Sequence, residues 1–285
     1  MTNDISTLEF VAFDTETTGL SPSNESLVEI AAVRFDLQTG AHEYFQSLVN
    51  PGKSIPFAAA RVHGITDEMV FDAPKLEQVL PQFFQFIHGA IPVAHNAPFD
   101  IGFVSHHALR AGVVAPEVAI LDSCMFSRRV NTEMPSHKLQ TLVQELGIAE
   151  STFHRALADA KSCMEVFRHT VRKSCGVNAS WNELLTAHGR TYSFVDGSKP
   201  LESISAPTNA NTNLEPLFAA LQNKKSIWMH YEGSYGPREV TPLLIFAKGS
   251  QQYMEATCHL DGIRKSFRLD RIKKIILPPA ERNLL

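Results

Sequence analysis

The sequence predicts an α/β domain, with helices on both faces of a sheet, followed by a small antiparallel β domain. Strand-like runs come first and then alternate with helix-like runs, which is typical of an α/β sheet. Residues 197–213 are rich in Ser, Thr, Asn and Pro and indicate a flexible linker. The 285 residues are 44% hydrophobic and 20% charged, which is a globular balance long enough for one large domain or two ordinary ones.

The first elements are three runs of strand character, at residues 8–16, 26–36 and 41–50. The second and third runs are joined by Leu-Gln-Thr-Gly, which is a tight-turn signal. Because sequential strands joined by a tight turn pair with each other, we expect an antiparallel meander.

After the three strands, the apolar residues recur at the spacing of a helix. Apolar residues from Leu76 to Ile87 predict a helix over 75–89, which Pro81 should kink or shorten. The remaining predicted elements are, in order, a buried strand over 90–96, a helix over 99–112, a strand over 118–128, a helix over 138–148 that ends at Gly147, and a helix over 155–173.

The tail contains four strand-like runs separated by Gly and Pro turns, and these predict a small antiparallel β unit that could close into a barrel. The runs span 226–232, 238–249, 251–260 and 265–277. We therefore divide the chain into a first domain (1–175), an extension with a flexible linker (176–213) and a β domain (214–285). Residues 1–213 hold 15 Lys and Arg against 23 Asp and Glu, whereas 214–285 hold 11 against 7. The net charges of −8 and +4 suggest that the two parts of the chain have different functions, although ordinary surface variation explains the charges equally well.

Composition also argues against several classes of protein. No window approaches 18 consecutive apolar residues, and the first residues lack the basic flank and apolar core of an export signal. The four cysteines show no Cys-x-x-Cys spacing. We expect buried thiols in a reducing cytosol, with no disulfide scaffold, zinc ribbon or membrane association.

Two acids stand two residues apart in the first strand. Asp14 and Glu16 therefore point to one face, with Cα atoms roughly 6–7 Å apart. Two carboxylates on a buried strand repel each other, and a divalent cation between them removes the repulsion. The alternative is one salt-bridged and one solvated acid, because the Asp-x-Glu pattern is common by chance.

Asp159 and Asp100 also lie where an acid is unfavourable. Asp159 falls within the apolar stripe of the last predicted helix of the first domain, and no Lys or Arg shares that stripe. Asp100 heads an apolar helix face directly after a strand, where a helix-capping role is the alternative. Four such acids together suit a pair of Mg²⁺ or Mn²⁺ ions that clamp a phosphate for in-line hydrolysis.

His154 precedes Asp159 by five residues, at the entrance to the same helix. A histidine beside a metal-activated water is a sensible general base. The alternative is an ordinary surface histidine, since the chain has 12.

These residues lie in three motifs that resemble the DEDDh exonucleases, the superfamily of the proofreading epsilon subunit of bacterial DNA polymerase III. The motifs are FDTETTG (13–19), HNAPFD (95–100) and HRALAD (154–159). VHGITDEM (62–69) and SHKLQTLVQELGI (136–148) are also similar, so the resemblance covers about residues 8–172.

The resemblance implies an RNase H-like fold with a five-stranded mixed sheet. It implies that Asp14, Glu16, Asp100 and Asp159 bind two divalent metals, Mg²⁺ or Mn²⁺, with Asp14 between both ions, and that His154 takes a proton from the attacking water. Further positions match those that contact the terminal nucleotide or shape its pocket: Thr17, Val62, His63, Asn96 and Phe99. Phosphate contacts would use Arg128 and Arg129 or the tail, although a solvated strand end also explains this arginine pair.

The tail resembles the WYL domain, an Sm-like barrel whose members bind nucleic acid or nucleotide-like ligands. Aromatic and basic positions carry this resemblance: Tyr231, Arg238, Pro242, Tyr253, Arg268 and Arg271. Gln252-Tyr253-Met254 stand where the naming Trp-Tyr-Leu would be. If residues 265–277 form one regular strand, Arg268 shares a face with Lys274, and Arg271 takes the opposite face. The accessory site would then contact phosphate and stack bases; the alternative is a solvated basic edge that prevents aggregation.

The leading hypothesis is a cytoplasmic bacterial 3′–5′ exonuclease that releases nucleoside 5′-monophosphates from single-stranded or frayed 3′ ends, with a role related to DNA repair or proofreading. DNA is favoured over RNA, and a polymerase or repair protein is a candidate partner. Two alternatives remain open: a 3′–5′ exoribonuclease, and a nucleic-acid-binding regulator with a vestigial nuclease. The intact motifs weigh against the regulator.

Overall fold

The computed structural model describes residues 4–22, 24–148, 154–194, 214–248, 251–260 and 262–276. It divides into two compact units, Met1–Val195 and Asp196–Leu285. The predicted linker at 197–213 lies outside the described residues. In the described parts of the chain, every helix is too short or too polar to span a bilayer.

The first unit is built on a mixed five-stranded sheet. Its strands are Phe10–Thr17 (β1), Leu27–Asp36 (β2), Gly40–Leu48 (β3), Ile91–Ala94 (β4) and Leu121–Asp122 (β5), in the order β3-β2-β1-β4-β5. The first three form the predicted antiparallel meander, and β4 and β5 run parallel to β1. In the β2–β3 turn the Asp36 side chain accepts the N–H groups of Gln38 and Thr39, which closes the tight turn.

Helices cover both faces of this sheet, as predicted. They are Phe57–His63 (α1), Asp67–Val70 (α2), Leu76–Ile87 (α3), Pro98–Ala111 (α4), Ser123–Val130 (α5), Leu139–Glu145 (α6), Ala156–Ser174 (α7) and Trp181–His188 (α8). Val11 and Phe13 of β1 pack with α3 and α4, whereas Phe10 and Ala12 pack with α7. Because β1 is buried on both faces, its carboxyl end is held firmly at the centre of the sheet.

The strand predicted over 118–128 is wrong for most of its length. Only Leu121 and Asp122 form a strand, and α5 begins at Ser123. The Asp122 side chain caps α5 by accepting the N–H groups of Cys124 and Met125. Residues 128 and 129 therefore lie on the last turn of a helix and not at a strand end, and Arg129 donates to carbonyls at the end of α8.

The first unit continues beyond the predicted boundary at residue 175. Helix α8 packs against α5, and Tyr192 pairs with Ile120 through two backbone hydrogen bonds. The prediction for Pro81 also differs from the structure, because α3 continues through this residue to Ile87 and is not shortened there.

The second unit contains one helix and a five-stranded antiparallel sheet. Its elements are Glu215–Gln222 (α9), Ile227–Tyr231 (β6), Arg238–Lys248 (β7), Gln251–Cys258 (β8), Ile263–Arg268 (β9) and Ile272–Ile276 (β10), with strand order β10-β6-β7-β8-β9. A 3₁₀ turn at Leu269–Arg271 divides the last predicted strand. The run 265–277 is therefore not one regular strand, and the predicted sharing of faces does not apply.

Candidate functional site

Three of the predicted metal ligands meet at the carboxyl end of β1. Asp14 and Glu16 alternate along the strand with the buried Thr15 and Thr17, so their carboxylates share one side. Asp159 lies in the first turn of α7, which packs across β1. One ligand oxygen from each of these three acids lies within 4.8 Å of the others.

Asp100 lies beside this group, on the first turn of α4. Its side chain is 2% exposed, and its Oδ1 accepts the Thr15 backbone N–H at 3.0 Å and the Thr15 hydroxyl at 2.7 Å. These bonds attach α4 to β1. Among the described residues, the 4.8 Å group holds Asp14, Glu16 and Asp159 without Asp100. The Asp100 charge nevertheless raises the pKa of Asp14.

Burial and neighbouring acids disfavour the charged forms of these four residues. Burial, followed by the charges of the other three, raises the pKa of Asp14 well above its usual range. Burial and the charge of Asp159 raise the pKa of Glu16 to about 8. Burial raises the pKa of Asp100 to about 7 against the opposing Thr15 hydrogen bonds, and burial also raises the pKa of Asp159.

This donor set fits divalent cations that prefer oxygen ligands. Several carboxylate oxygens converge, and their repulsion is the condition that a cation relieves. Mg²⁺ and Mn²⁺ are both compatible with oxygen donors of this kind. The residues present could therefore hold the metal that the motifs imply.

His154 is exposed and directly precedes the helix that carries Asp159. Its backbone N–H donates to Asp159 Oδ2 at 3.0 Å, and its φ of 63° lies in the left-handed region. Its ring Nε2 lies 2.9 Å from the amide nitrogen of Gln140 on α6. The ring is thus next to the acids in the chain and is oriented by a neighbouring helix.

The residues predicted to contact the terminal nucleotide come from three segments of the first unit. Thr17 follows Glu16, and its hydroxyl donates to Gly19 O at 2.6 Å. His63 on α1 is buried, which lowers its pKa, and it lies within electrostatic reach of Glu29 and His154. Val62, beside it, is 55% exposed.

Asn96 lies on the β4–α4 connection, and Phe99 lies in the first turn of α4. Asn96 is exposed with a φ of 66°, and its N–H donates to Asp122 at 3.2 Å. The Phe99 ring packs on Phe103 with centroids 5.1 Å apart. The same Asp122 that caps α5 therefore also holds this connection in place.

Glu29 and Asp122 support the site without having been predicted. Glu29 lies on β2 opposite Glu16 and is fully buried, and Asp122 ends β5. A single acid inside the apolar run of β2 was the available signal for Glu29. Asp122 could have been found as the capping residue of a helix beginning at 123.

In the second unit, the predicted accessory residues come from four strands and one turn. Tyr253 pairs across the sheet with Arg268, and the Tyr231 hydroxyl accepts the Arg268 N–H at 3.1 Å, so these three lie together. Arg271 is exposed on the 3₁₀ turn that follows. Arg238 begins β7 and pairs with Met229, two residues before Tyr231 on β6, and its Nη1 lies 4.0 Å from Cys258 Sγ.

Two family models match the chain. The model described as exonuclease matches residues 11–167, which is more than half of the 285 residues. The model described as WYL domain matches residues 212–277.

Similar proteins include DNA polymerase III PolC-type of Caldanaerobacter subterraneus, which is 39% identical over 165 residues, or 58% of this chain and 12% of that protein. The DNA polymerase III subunit epsilon-like protein of Rhodobacter capsulatus is 43% identical over 164 residues, or 56% of this chain and 23% of that protein. The chain therefore spans less than a quarter of the length of these relatives.

Solved structures share the fold. Exonuclease X in complex with 5′ overhanging duplex DNA has 24% identity and a TM-score of 0.50, covering 64% of this chain and 99% of that one. A structure of exonuclease I has 16% identity and a TM-score of 0.56, covering 84% of this chain and 55% of that one. With the matching family model and the three motifs, these findings show that the chain belongs to the exonuclease family, is of the DEDDh type, and carries a WYL domain at residues 212–277.

Proposed function

We propose that this chain is a metal-dependent 3′–5′ exonuclease that removes nucleoside 5′-monophosphates from DNA 3′ ends. The observation that carries the proposal is the cluster of Asp14, Glu16 and Asp159, whose ligand oxygens lie within 4.8 Å of one another. Acids held this close at the end of a buried strand are unfavourable unless cations bind between them.

Asp14, Glu16, Asp159 and Asp100 would hold two divalent ions. When bound, two such ions supply charge neutralisation for the scissile phosphate and acidify the attacking water. The chain itself contributes a fixed arrangement, because Asp14 and Glu16 share one strand and Asp100 is attached to that strand through Thr15. The Asp159 carboxylate is held in place by the hydrogen bond that it accepts from the backbone N–H of His154.

His154 would act as the general base. The side-chain amide of Gln140 donates to its Nε2 and occupies the lone pair of that nitrogen. This contact would have to open before Nε2 accepts the proton that the attacking water loses. The exposed position of the ring leaves it accessible to solvent and substrate.

The terminal nucleotide would lie between the β1 end and helices α1 and α4. Val62 offers an exposed apolar side chain for a base, and Asn96 offers an exposed amide for hydrogen bonds. Thr17, His63 and Phe99 would form the wall that supports this nucleotide.

DNA is the proposed substrate, because the relatives are named for DNA polymerase III and one solved neighbour is titled as a complex with 5′ overhanging duplex DNA. The names of these relatives also make a polymerase or repair protein the proposed partner. Tyr231, Tyr253, Arg268 and Arg271 would give the second unit an accessory surface for nucleic acid or a nucleotide-like ligand, with Arg238 contributing from the start of β7.

The test uses the full chain with matched DNA and RNA oligonucleotides labelled at the 5′ end. Mg²⁺ or Mn²⁺ should produce a ladder of 5′-labelled fragments that shorten one nucleotide at a time, together with free nucleoside 5′-monophosphates. Chelation should stop the reaction. Immediate release of a labelled mononucleotide would overturn the proposed 3′–5′ direction. Faster degradation of RNA than of DNA would overturn DNA as the proposed substrate.

A further inference from the structure

Glu29 is a fully buried carboxylate that lies beside the acidic site. It lies on β2 directly across the ladder from Glu16 on β1, and its side chain is 0% exposed. Residues directly opposite in an antiparallel pair have Cβ atoms about 4.5–5.5 Å apart, so two like charges there destabilise the sheet. A buried charge in such a position requires partners within the chain.

Four donors satisfy this carboxylate. Oε1 accepts from Arg155 Nη2 at 2.7 Å and from Gln46 Nε2 at 2.8 Å. Oε2 accepts from Arg155 Nε at 3.1 Å and from the Ala156 backbone N–H at 3.0 Å. Burial would raise the pKa of Glu29, but these hydrogen bonds outweigh burial and lower it, so the group is ionised near neutral pH. The fork of Arg155 makes the pair bidentate, which fixes both its distance and its angle.

Three of the four donor atoms lie at the start of α7, and the fourth belongs to Gln46 on β3. Arg155 is the N-cap residue of this helix, with extended backbone angles of −135° and 127°, and its own side chain makes no capping bond. The first helical N–H group, that of Ala156, is instead accepted by Glu29 from a different strand. A carboxylate is favourable at this end of a helix because it faces the positive end of the helix dipole.

We propose that Glu29 and Arg155 form a clamp that positions Asp159 and His154 against Asp14 and Glu16. Glu29 is then a positioning residue and not a metal ligand. The inference rests on the proposed function. Both oxygens of Glu29 already accept two bonds each, and the group of ligand atoms within 4.8 Å, among the described residues, contains the three acids without Glu29.

The connectivity explains why the clamp matters. β2 is paired with β1 from Phe10 to Thr17, so a bond from β2 to α7 fixes the helix relative to the acids of β1. His154 and Asp159 lie on either side of the clamped residues and are joined by their own hydrogen bond. A displacement of the helix start would therefore move the proposed base and one proposed ligand together.

The first experiment compares the full chain with Glu29→Gln. This variant keeps the side-chain volume and removes the charge, and Arg155, whose side chain is 36% exposed, can turn to solvent. We expect kcat on a 5′-labelled oligonucleotide to fall about 100-fold with little change in KM, as a displacement near 1 Å would cause. Mn²⁺ binding, measured by calorimetry without substrate, should weaken by at least about 10-fold.

Glu165→Gln is the matched control. Its carboxylate also pairs with an arginine, Arg168, at 2.8 Å on the same helix, but nearly three turns away from Arg155. We expect kcat and Mn²⁺ affinity within about 2-fold of the parent, since a partly exposed pair contributes little. Glu29→Gln behaving like Glu165→Gln would overturn the clamp.

Arg155→Lys tests the same contact from the other side. Lysine keeps the charge but not the bidentate fork, so Mn²⁺ affinity should fall by about 10-fold. In the double variant the two losses should not add, because the residues act as a unit. Should circular dichroism show Glu29→Gln to be unfolded, Arg155→Lys alone decides: parent-like kcat and Mn²⁺ affinity reject the clamp.

Amide hydrogen exchange separates failure of the clamp from failure of the proposed function. In metal-free protein, the Ala156 amide should exchange at least about 10-fold faster in Glu29→Gln than in the parent, and be unchanged in Glu165→Gln. A parent that neither binds Mn²⁺ nor degrades nucleic acid would reject the proposed function, while Ala156 exchange would still decide on the clamp. Unchanged Ala156 exchange rejects the clamp even if the nuclease activity is present.

Discussion

Asp14 and Glu29 are neighbouring acids in the same part of the sheet with opposite electrostatic outcomes. Burial and the charges of Asp100, Asp159 and Glu16 all raise the pKa of Asp14. Burial acts on Glu29 in the same direction, but the hydrogen bonds from Arg155 lower its pKa. At the scale of single residues, this difference separates a carboxylate surrounded by other acids from one that is paired with an arginine of the chain.

The repulsion around Asp14 gives a prediction for Asp14→Asn. Removing one charge from the cluster relieves repulsion in the metal-free protein, so its Tm should equal or exceed that of the parent. The same change removes a proposed ligand, so added Mn²⁺ should no longer raise Tm, and activity should fall at least about 100-fold. Thermal scans with and without Mn²⁺ test this, and a variant still stabilised by Mn²⁺ would show that Asp14 is not a ligand.

His154→Gln separates the base from the metal site. The substitution removes the group that would accept a proton but leaves the backbone N–H that donates to Asp159. We expect kcat to fall about 100-fold to 10,000-fold, with Mn²⁺ affinity in calorimetry unchanged. Loss of Mn²⁺ affinity together with activity would instead assign His154 to metal binding.

At the scale of elements, α5 and α8 depart most from the sequence prediction. Residues 118–128 contain enough apolar residues for a strand, but Asp122 stops the strand by capping a helix. Helix α8 then packs on α5, where the Phe126 and His188 rings lie 5.2 Å apart. Local periodicity could not distinguish these outcomes, because an apolar run of this length suits a buried strand as well as a buried helix.

The contact between these helices gives a pH prediction. His188 Nε2 accepts the Asp122 N–H at 2.9 Å, and burial lowers the pKa of His188 to about 4. The unfolded chain binds this proton near pH 6.5 and the folded chain does not, so stability holds above pH 6.5 and falls from there towards pH 4.

His188→Gln keeps an acceptor at this position and removes the titration. Urea unfolding at pH 7 and pH 5 should show the parent losing about 2 kcal/mol more than the variant over that interval. His88→Gln is the control, because His88 is exposed, and it should keep the parental loss. Equal losses in the parent and His188→Gln would show that His188 is not responsible.

At the scale of the whole molecule, charge divides between the two units. Residues 214–285 carry a net charge of +4 in a chain whose total is −4. An acidic catalytic domain gains little from long-range attraction to phosphate, so we expect the basic unit to supply part of the affinity for nucleic acid.

Arg271→Glu in the full chain tests this division of work. The side chain is exposed, so the fold should be preserved. Binding to single-stranded DNA should weaken, its dependence on salt should become shallower by about one ion, and kcat should stay unchanged. Lys225→Glu makes the same charge change before β6, at the end of that strand away from Tyr231, and should have the smaller effect. Equal effects of the two variants would indicate that DNA binding depends on net charge alone and not on a binding surface at Arg271.

The sequence by itself determined the meander, the helices on both faces, the two family resemblances and the identity of the four acids. These depend on periodicity and short motifs, which are local properties of the chain. The tertiary structure decided which acids come within 4.8 Å, that Asp122 caps a helix, and that Glu29 holds Arg155 across a separation of 126 residues. Such contacts depend on how distant segments pack, and no local pattern specifies a hydrogen-bond partner so far along the chain.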